Sequence, residues 1–241
     1  MPLEDNDLLA SLGSGDRDLL SARSLSTSLK TGAVLFEPGD LVDAVYVPLN
    51  ASLASFVVAL DGGPPVETAL VGREGMIGSI FSRGHLPAFA QATVVQGGDF
   101  LRIGYSDLDD ARQRSPTIAT LIARYADCMV AQILQSVACN AVHTLEQRAA
   151  RWLAAAVDRT GDRNISMTQE QLGALLGAGR SYTSRQIQRF KSDDLVRTRR
   201  GGIAVIDYDG ILLRACSCHT KVRRHFETVL YNAPIATKVV G

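Results

Sequence analysis

The chain has 241 residues, 46% apolar and 21% charged, which excludes a disorder-dominated chain and leaves length for a core built without staples. At roughly 150 residues per domain, it holds one large or two modest domains. No stretch approaches the roughly 18 uninterrupted apolar residues that a membrane helix needs. The acidic N-terminal segment lacks the basic flank and apolar run of an export signal. Four cysteines, Cys128, Cys139, Cys216 and Cys218, do not make a disulfide framework in a chain this long. The expectation is a soluble, cytoplasmic protein with no membrane partner. Its net charge of zero hides an asymmetry: residues 1–143 carry 9 Lys/Arg against 16 Asp/Glu, and residues 144–241 carry 16 against 9. A basic half on a neutral chain suggests one module that meets polyanion and one that does not.

From about Ser28 to Tyr105 the chain reads as short strands: Ala33–Phe36, Ala44–Val47, Leu53–Leu60, Val66–Val71, Gln91–Val95 and Phe100–Ile103. Turn signals separate them at Glu37-Pro38-Gly39-Asp40, Asp61-Gly62-Gly63-Pro64-Pro65 and Gly97-Gly98-Asp99. Strands this short at this spacing predict a barrel-like or sandwich β module rather than βαβ units. Ser106 is placed to cap a short helix over Asp107–Arg114. Ser115 and Pro116 then open a long helix running to about Val142, free of Gly and further Pro. Ile118, Ile122, Tyr125, Met129, Gln132, Ser136 and Cys139 draw one stripe along it at steps of four and three. A helix about 39 Å long, at roughly 1.5 Å per residue, exceeds the needs of one small module. The expectation is that Ile118, Ile122, Tyr125, Met129, Gln132 and Ser136 form the seam with a second copy; burial against its own domain is the competing reading. A further helix, Thr144 to Arg159, ends at Gly161.

Residues 168–191 carry the chemistry. Thr168 with Gln171 three positions on makes a capping box, and Leu172, Leu175 and Leu176 give the helix an apolar face. Gly173 suits a close helix crossing, and Gly177 a sharp turn. In the next helix Thr183, Ile187 and Phe190 face inward, whereas Arg180, Ser181, Tyr182, Ser184, Arg185, Gln188 and Arg189 are the candidate DNA contacts. Two short helices about a glycine turn, the second Arg-rich on one face, match a helix-turn-helix. Arg can donate two hydrogen bonds to a guanine edge, while Ser and Gln adapt to several bases. Val196–Arg199 and Ile203–Ile206 read as a hairpin wing around Arg200-Gly201-Gly202; Arg199 and Arg200 are assigned to phosphate, and Thr168 is a further candidate DNA contact.

The order of β-roll, long helix and winged helix-turn-helix resembles the Crp–Fnr family of bacterial transcription regulators. Gly32-Ala-Val-Leu-Phe-Glu-Pro-Gly39-Asp40, Val45-Tyr46-Val47, Gly75-Met-Ile-Gly78 and above all Leu172 to Ile206 carry the resemblance, which covers about residues 20–215. It implies an α+β chain: a cyclic-nucleotide-binding-like β-roll sensor domain with flanking short helices over 1–115, a dimerisation helix over 116–143 and a winged helix-turn-helix over 144–241. It further implies a homodimer on double-stranded DNA at an inverted repeat, with RNA polymerase as a partner. Cyclic-AMP-responsive members place Glu after the second glycine of the effector loop, where this chain has Ser79. They also place Arg-Ser before the next strand, where this chain has Ala88-Phe89-Ala90-Gln91-Ala92-Thr93. A phosphate ester without a cation loses its charge-assisted bonds, so cyclic AMP is not expected to bind. The candidate effector pocket comprises Gly78, Ser79, Arg83, Gln91, Ala92, Tyr125 and Met129, with Arg83 or His85 as possible substitute cations. Ser181 replaces the family's usual Glu, which leaves the half-site open.

Cys216-Ser217-Cys218-His219, with His225 nearby, is a metal or redox candidate, but no second Cys pair accompanies it. No metal and no cofactor are therefore expected, beyond an unknown small-molecule effector. His85 and His143 remain lone histidines. No phosphate-cradling loop with Lys, nucleophile elbow or paired-His metal motif is present, so an enzyme is not expected. The alternative is a ligand-sensing or scaffold protein of this fold with a degenerate DNA-binding domain.

Overall fold

The computed structural model describes residues 3–61, 65–78 and 86–232. Two short helices, α1 (Asp7–Ala10) and α2 (Ser14–Ser21), precede eight strands. These are β1 (Ser24–Leu29), β2 (Val34–Phe36), β3 (Ala44–Pro48), β4 (Leu53–Val58), β5 (Val66–Val71), β6 (Ile77–Gly78), β7 (Gln91–Gln96) and β8 (Gly98–Gly104). They form two four-stranded antiparallel sheets, in the orders β1-β8-β3-β6 and β2-β7-β4-β5. Val45, Val47, Leu101 and Ile103 from one sheet meet Ala54, Val71, Ala92 and Val94 from the other, with Leu8, Leu9 and Leu20 of the first helices closing the same core. The six predicted strands are all present. Two more, β1 and β6, were not predicted: β1 reads Ser-Leu-Ser-Thr-Ser-Leu and lies at a sheet edge with little buried surface, so it shows no apolar alternation.

α3 (Tyr105–Arg114) follows β8 directly and is entered from Gly104 with no side-chain cap. Ser106 therefore lies inside its first turn and is not the cap expected of it. α4 (Pro116–Val142) begins as predicted, with Pro116 in its first turn and Ser115 Oγ accepting from the Ile118 N–H at 3.2 Å.

The predicted stripe of α4 is buried, but within its own chain. Ile118, Ile122, Tyr125 and Met129 are each no more than 1% exposed and join the roll core. Tyr125 Oη donates to the Met76 carbonyl at 2.9 Å, and its ring meets Phe226 edge-on with centroids 6.4 Å apart. Gln132 donates to the Leu70 carbonyl at 3.0 Å, and Ser136 is also buried. Ile118, Ile122, Tyr125 and Met129 are therefore core of their own chain and not open to a second copy, while Gln132 and Ser136 are buried beside a cavity. By length and composition alone α4 meets the requirement for a membrane-crossing helix, although Arg124 and Asp127 interrupt its apolar run. One face of it is spent on the roll.

α5 (Leu145–Thr160) carries the expected Thr144–Gln147 capping box and ends at Gly161 in the left-handed conformation. Then come β9 (Asn164–Ile165), α6 (Gln169–Leu175), α7 (Arg180–Ser192), β10 (Val196–Arg199), β11 (Gly202–Val205), α8 (Tyr208–Arg214) and α9 (Cys218–Phe226), with a wider helical turn over Glu227–Asn232. β9 adds an unpredicted third strand to the wing sheet. A second core joins Trp152, Leu153, Leu172, Ile187, Phe190, Val196, Ile203 and Ile211, and it includes Leu53, Leu70 and Val95 of the roll. Phe226 and Leu230 return to the roll core. Both cores thus cross the boundaries drawn at 115 and 143.

Candidate nucleic-acid interface and sensor cavity

Local chemistry builds the helix pair. The Thr168 hydroxyl accepts from the Gln171 N–H at 3.1 Å, while the Gln171 side chain accepts from the Thr168 N–H at 2.8 Å. Gly177 turns the chain with φ of 61°, a conformation that costs a side-chain-bearing residue. At Gly173 a Cβ would stand 2.9 Å from Thr183 Oγ1, so the crossing of α6 and α7 requires glycine there. Thr183, Gln186, Ile187 and Phe190 are buried against the domain core.

The opposite face of α7 is open. Arg180, Ser181, Tyr182, Arg185, Gln188 and Arg189 are exposed and Ser184 is half-buried. The Arg185 guanidinium lies 5.3 Å from the centre of the Tyr182 ring, a cation–π contact on the exposed face. A cleft shared by the starts of α6 and α7 and by the wing brings together Thr168, Glu170, Arg180, Ser184, Arg199 and Gly202. Within it Arg180 and Glu170 form a long, exposed ion pair at 3.7 Å, a contact that costs little to break. The wing pairs Val196 with Val205 and Arg199 with Gly202. Arg199 and Arg200 are exposed near its tip.

The expected effector pocket does not come together in the same way. Gly78 pairs with Val45 in the sheet, Ala92, Tyr125 and Met129 are core, and Gln91 donates to Glu37 at 2.7 Å on the surface. Tyr125 and Met129 are 0% and 1% exposed among the described residues. Ser79, Arg83 and His85 lie outside the described residues. A cavity of about 500 Å³ opens instead between β5, α4, α5 and α9. The sequence carries no motif for it, because its walls come from many separate segments, Asp7 of α1 and Tyr208 of α8 among them.

That cavity is charged. Arg159 pairs with Glu74 at 2.8 Å, with both side chains largely buried, and also donates to Gln132. Trp152 Nε1 donates to the Glu67 carboxylate at 2.9 and 3.0 Å. Glu67 is half-buried as a residue, and burial of its carboxyl pushes the pKa up to about 7, against the opposing effects of Trp152, Arg151 and Arg159. His219 stands 3.1 Å from Asp158, which also accepts from Tyr208. Burial raises the Asp158 carboxyl, but these two bonds, with the positive charge of Arg223, hold it below its ordinary value. Glu67 and Glu74 belong to the roll, Trp152 and Arg159 to α5; the cavity is thus bridged by polar contacts between the roll and the helix-turn-helix half.

Residues 147–213 match the family described as the Crp-like helix-turn-helix domain. This segment is a Crp-like helix-turn-helix domain. The chain as a whole has the fold of the Crp/FNR regulators. It is similar to FixK2 from Bradyrhizobium japonicum, with a TM-score of 0.67 at 13% identity over 80% of this chain and 98% of that one. It is similar to CLP from Xanthomonas campestris, described as a c-di-GMP-responsive global regulator, with a TM-score of 0.64 at 16% identity over 80% and 99%. A CRP/FNR-family transcriptional regulator from Thermus thermophilus gives 0.62 at 19% over 79% and 98%. No curated protein sequence resembles the chain closely enough to count as a relative. The family match is to a helix-turn-helix domain, and the proteins from Xanthomonas campestris and Thermus thermophilus are themselves described as regulators.

Proposed function

We propose that this Crp/FNR-fold chain is a homodimeric, sequence-specific transcription regulator, cytoplasmic in location, whose roll does not take cyclic AMP. The observation that carries this reading is the open face of α7, where Arg180, Ser181, Tyr182, Arg185, Gln188 and Arg189 are exposed beside a basic wing while the reverse face is core. Arg185 is the guanine reader, Arg180 contacts a base or a phosphate, and Arg199, Arg200 and Thr168 hold phosphate. The site is an inverted repeat with half-site centres about 34 Å apart, and RNA polymerase is the downstream partner.

Dimerisation falls to the face of α4 turned away from the roll. Ala123, Val130, Leu134, Val137 and Ala141 recur at steps of seven, four and three, and all are exposed. Leu134 and Val137 are 66% and 65% exposed, which favours a coiled-coil-like partner helix. The effector reading rests on the Ala88–Thr93 stretch, which offers no cation, and on Gln91, whose amide is paired with Glu37. The test is fluorescence anisotropy on the operator and on random duplex. Arg185→Ala should cost about 1–3 kcal/mol on the operator and little on random DNA. Equal losses on both would mean that α7 does not read sequence.

A further inference from the structure

The four residues Cys139, His143, Cys216 and Cys218 converge although two of them lie more than 70 positions from the others. Cys139 is in the last turn of α4 and His143 is its C-terminal cap, four residues on and on the same face. Cys216 follows α8 and Cys218 opens α9. Cys139 Sγ and Cys216 Sγ are 3.5 Å apart, Cys218 Sγ and His143 Nδ1 are 3.6 Å apart, and all four ligand atoms lie within 4.8 Å of one another. We propose that this cluster is a closed zinc site with three thiolate ligands and one imidazole, set between the end of the long helix and the segment after the wing.

The Cys139–Cys216 and Cys218–His143 distances are close to those around one tetrahedral ion. Thiolates at about 2.3 Å from zinc stand about 3.8 Å apart, and a thiolate and an imidazole nitrogen about 3.6 Å. Soft sulfur ligands with one imidazole select zinc over magnesium or calcium. An iron–sulfur cluster would need a wider cage than these atoms leave. The three sulfurs are buried and His143 is half-buried, so the ion has four protein ligands and no open position, the form of a structural site.

The surroundings suit the charge. Three thiolates and Zn²⁺ sum to one negative charge, formed as three protons leave to solvent. Arg148 and Arg151, both on α5, lie within electrostatic reach of Cys139, and each has a buried Nε with no hydrogen-bond partner. Gln135 Nε2 donates to Cys218 Sγ at 3.1 Å, an outer contact of the kind that orients a metal ligand. His219, which adjoins the Cys pair in sequence, faces Asp158 instead. Arg148 also donates to the Leu176 carbonyl at the end of α6. The ion would therefore clamp α4 to α9 across the α4–α5 junction, with one side chain between it and the helix-turn-helix.

The test uses the full chain, purified without chelator, with zinc counted by mass spectrometry and the site read by Co²⁺ substitution. The expected result is one zinc per chain and the intense visible spectrum of tetrahedral cobalt with thiolate charge transfer. Cys216→Ser should lose the metal, and His219→Ala should keep it. Since Cys216→Ser could fail to fold, His143→Cys provides a second arm: it should retain one ion and shift the cobalt spectrum to that of four thiolates. The proposal is overturned by metal content at background, by a pale octahedral cobalt spectrum, by metal loss in His219→Ala, by an iron–sulfur cluster, or by isolation of a metal-free Cys139–Cys216 disulfide.

Discussion

Met129 and Leu134 lie about a turn and a half apart on α4, and truncating each to alanine should give opposite phenotypes. Met129 is 1% exposed in the roll core, whereas Leu134 is 66% exposed on the bare face. Met129→Ala leaves a cavity and should cost about 2–5 kcal/mol of folding stability. Fully burying a leucine is worth about 1.5–3 kcal/mol; with two thirds of that available at Leu134, the partner helix recovers about 1–2 kcal/mol per copy. Two copies meet in a symmetric dimer, so Leu134→Ala should weaken dimerisation by about 2–4 kcal/mol, on the order of 30- to 1000-fold in Kd. Sedimentation velocity across a concentration series measures the dimer constant. Denaturant unfolding measures the fold, performed in a Leu134→Asp background so that dimer dissociation does not contribute. A dimer that survives Leu134→Asp but dissociates on Met129→Ala would refute the assignment of faces.

Arg200→Ala should weaken operator and random DNA about equally and lower the slope of log affinity against log salt by about one; a selective loss on the operator would contradict its phosphate role. The Glu67 carboxyl, ordinarily near 4.5, is pushed to about 7 by burial. The folded state therefore keeps a proton that the unfolded state gives up, and stability should fall as pH rises from about 4.5 to about 7. Glu67→Gln keeps an acceptor for Trp152 and should flatten that slope in thermal melts; an unchanged slope would assign the dependence elsewhere. Calorimetric titration with cyclic AMP should show no binding at micromolar concentration, and a tight isotherm would mean that another cation serves the roll.

The sequence alone determined those features whose causes are local. The capping box at Thr168 and Gln171, the turn at Gly177 and the inward set Thr183, Ile187 and Phe190 need only neighbours within a few residues, and they define α6 and α7 as found. Strands with apolar runs were legible for the same reason, while Ser-rich β1 and two-residue β6 and β9 exist through pairing with distant partners. The face of α4 was a different problem. That helix is apolar on two sides, and periodicity cannot say which side meets the roll; packing against β5, α9 and Phe226 decided it, turning the expected seam into core. Likewise the Cys216–Cys218 pair lacked a second pair in sequence, and only the return of the chain after the wing brought it to Cys139 and His143. Short-range order follows from backbone preference and spacing, but the choice between equivalent faces and the meeting of remote side chains follow from which surfaces the whole chain can bury together.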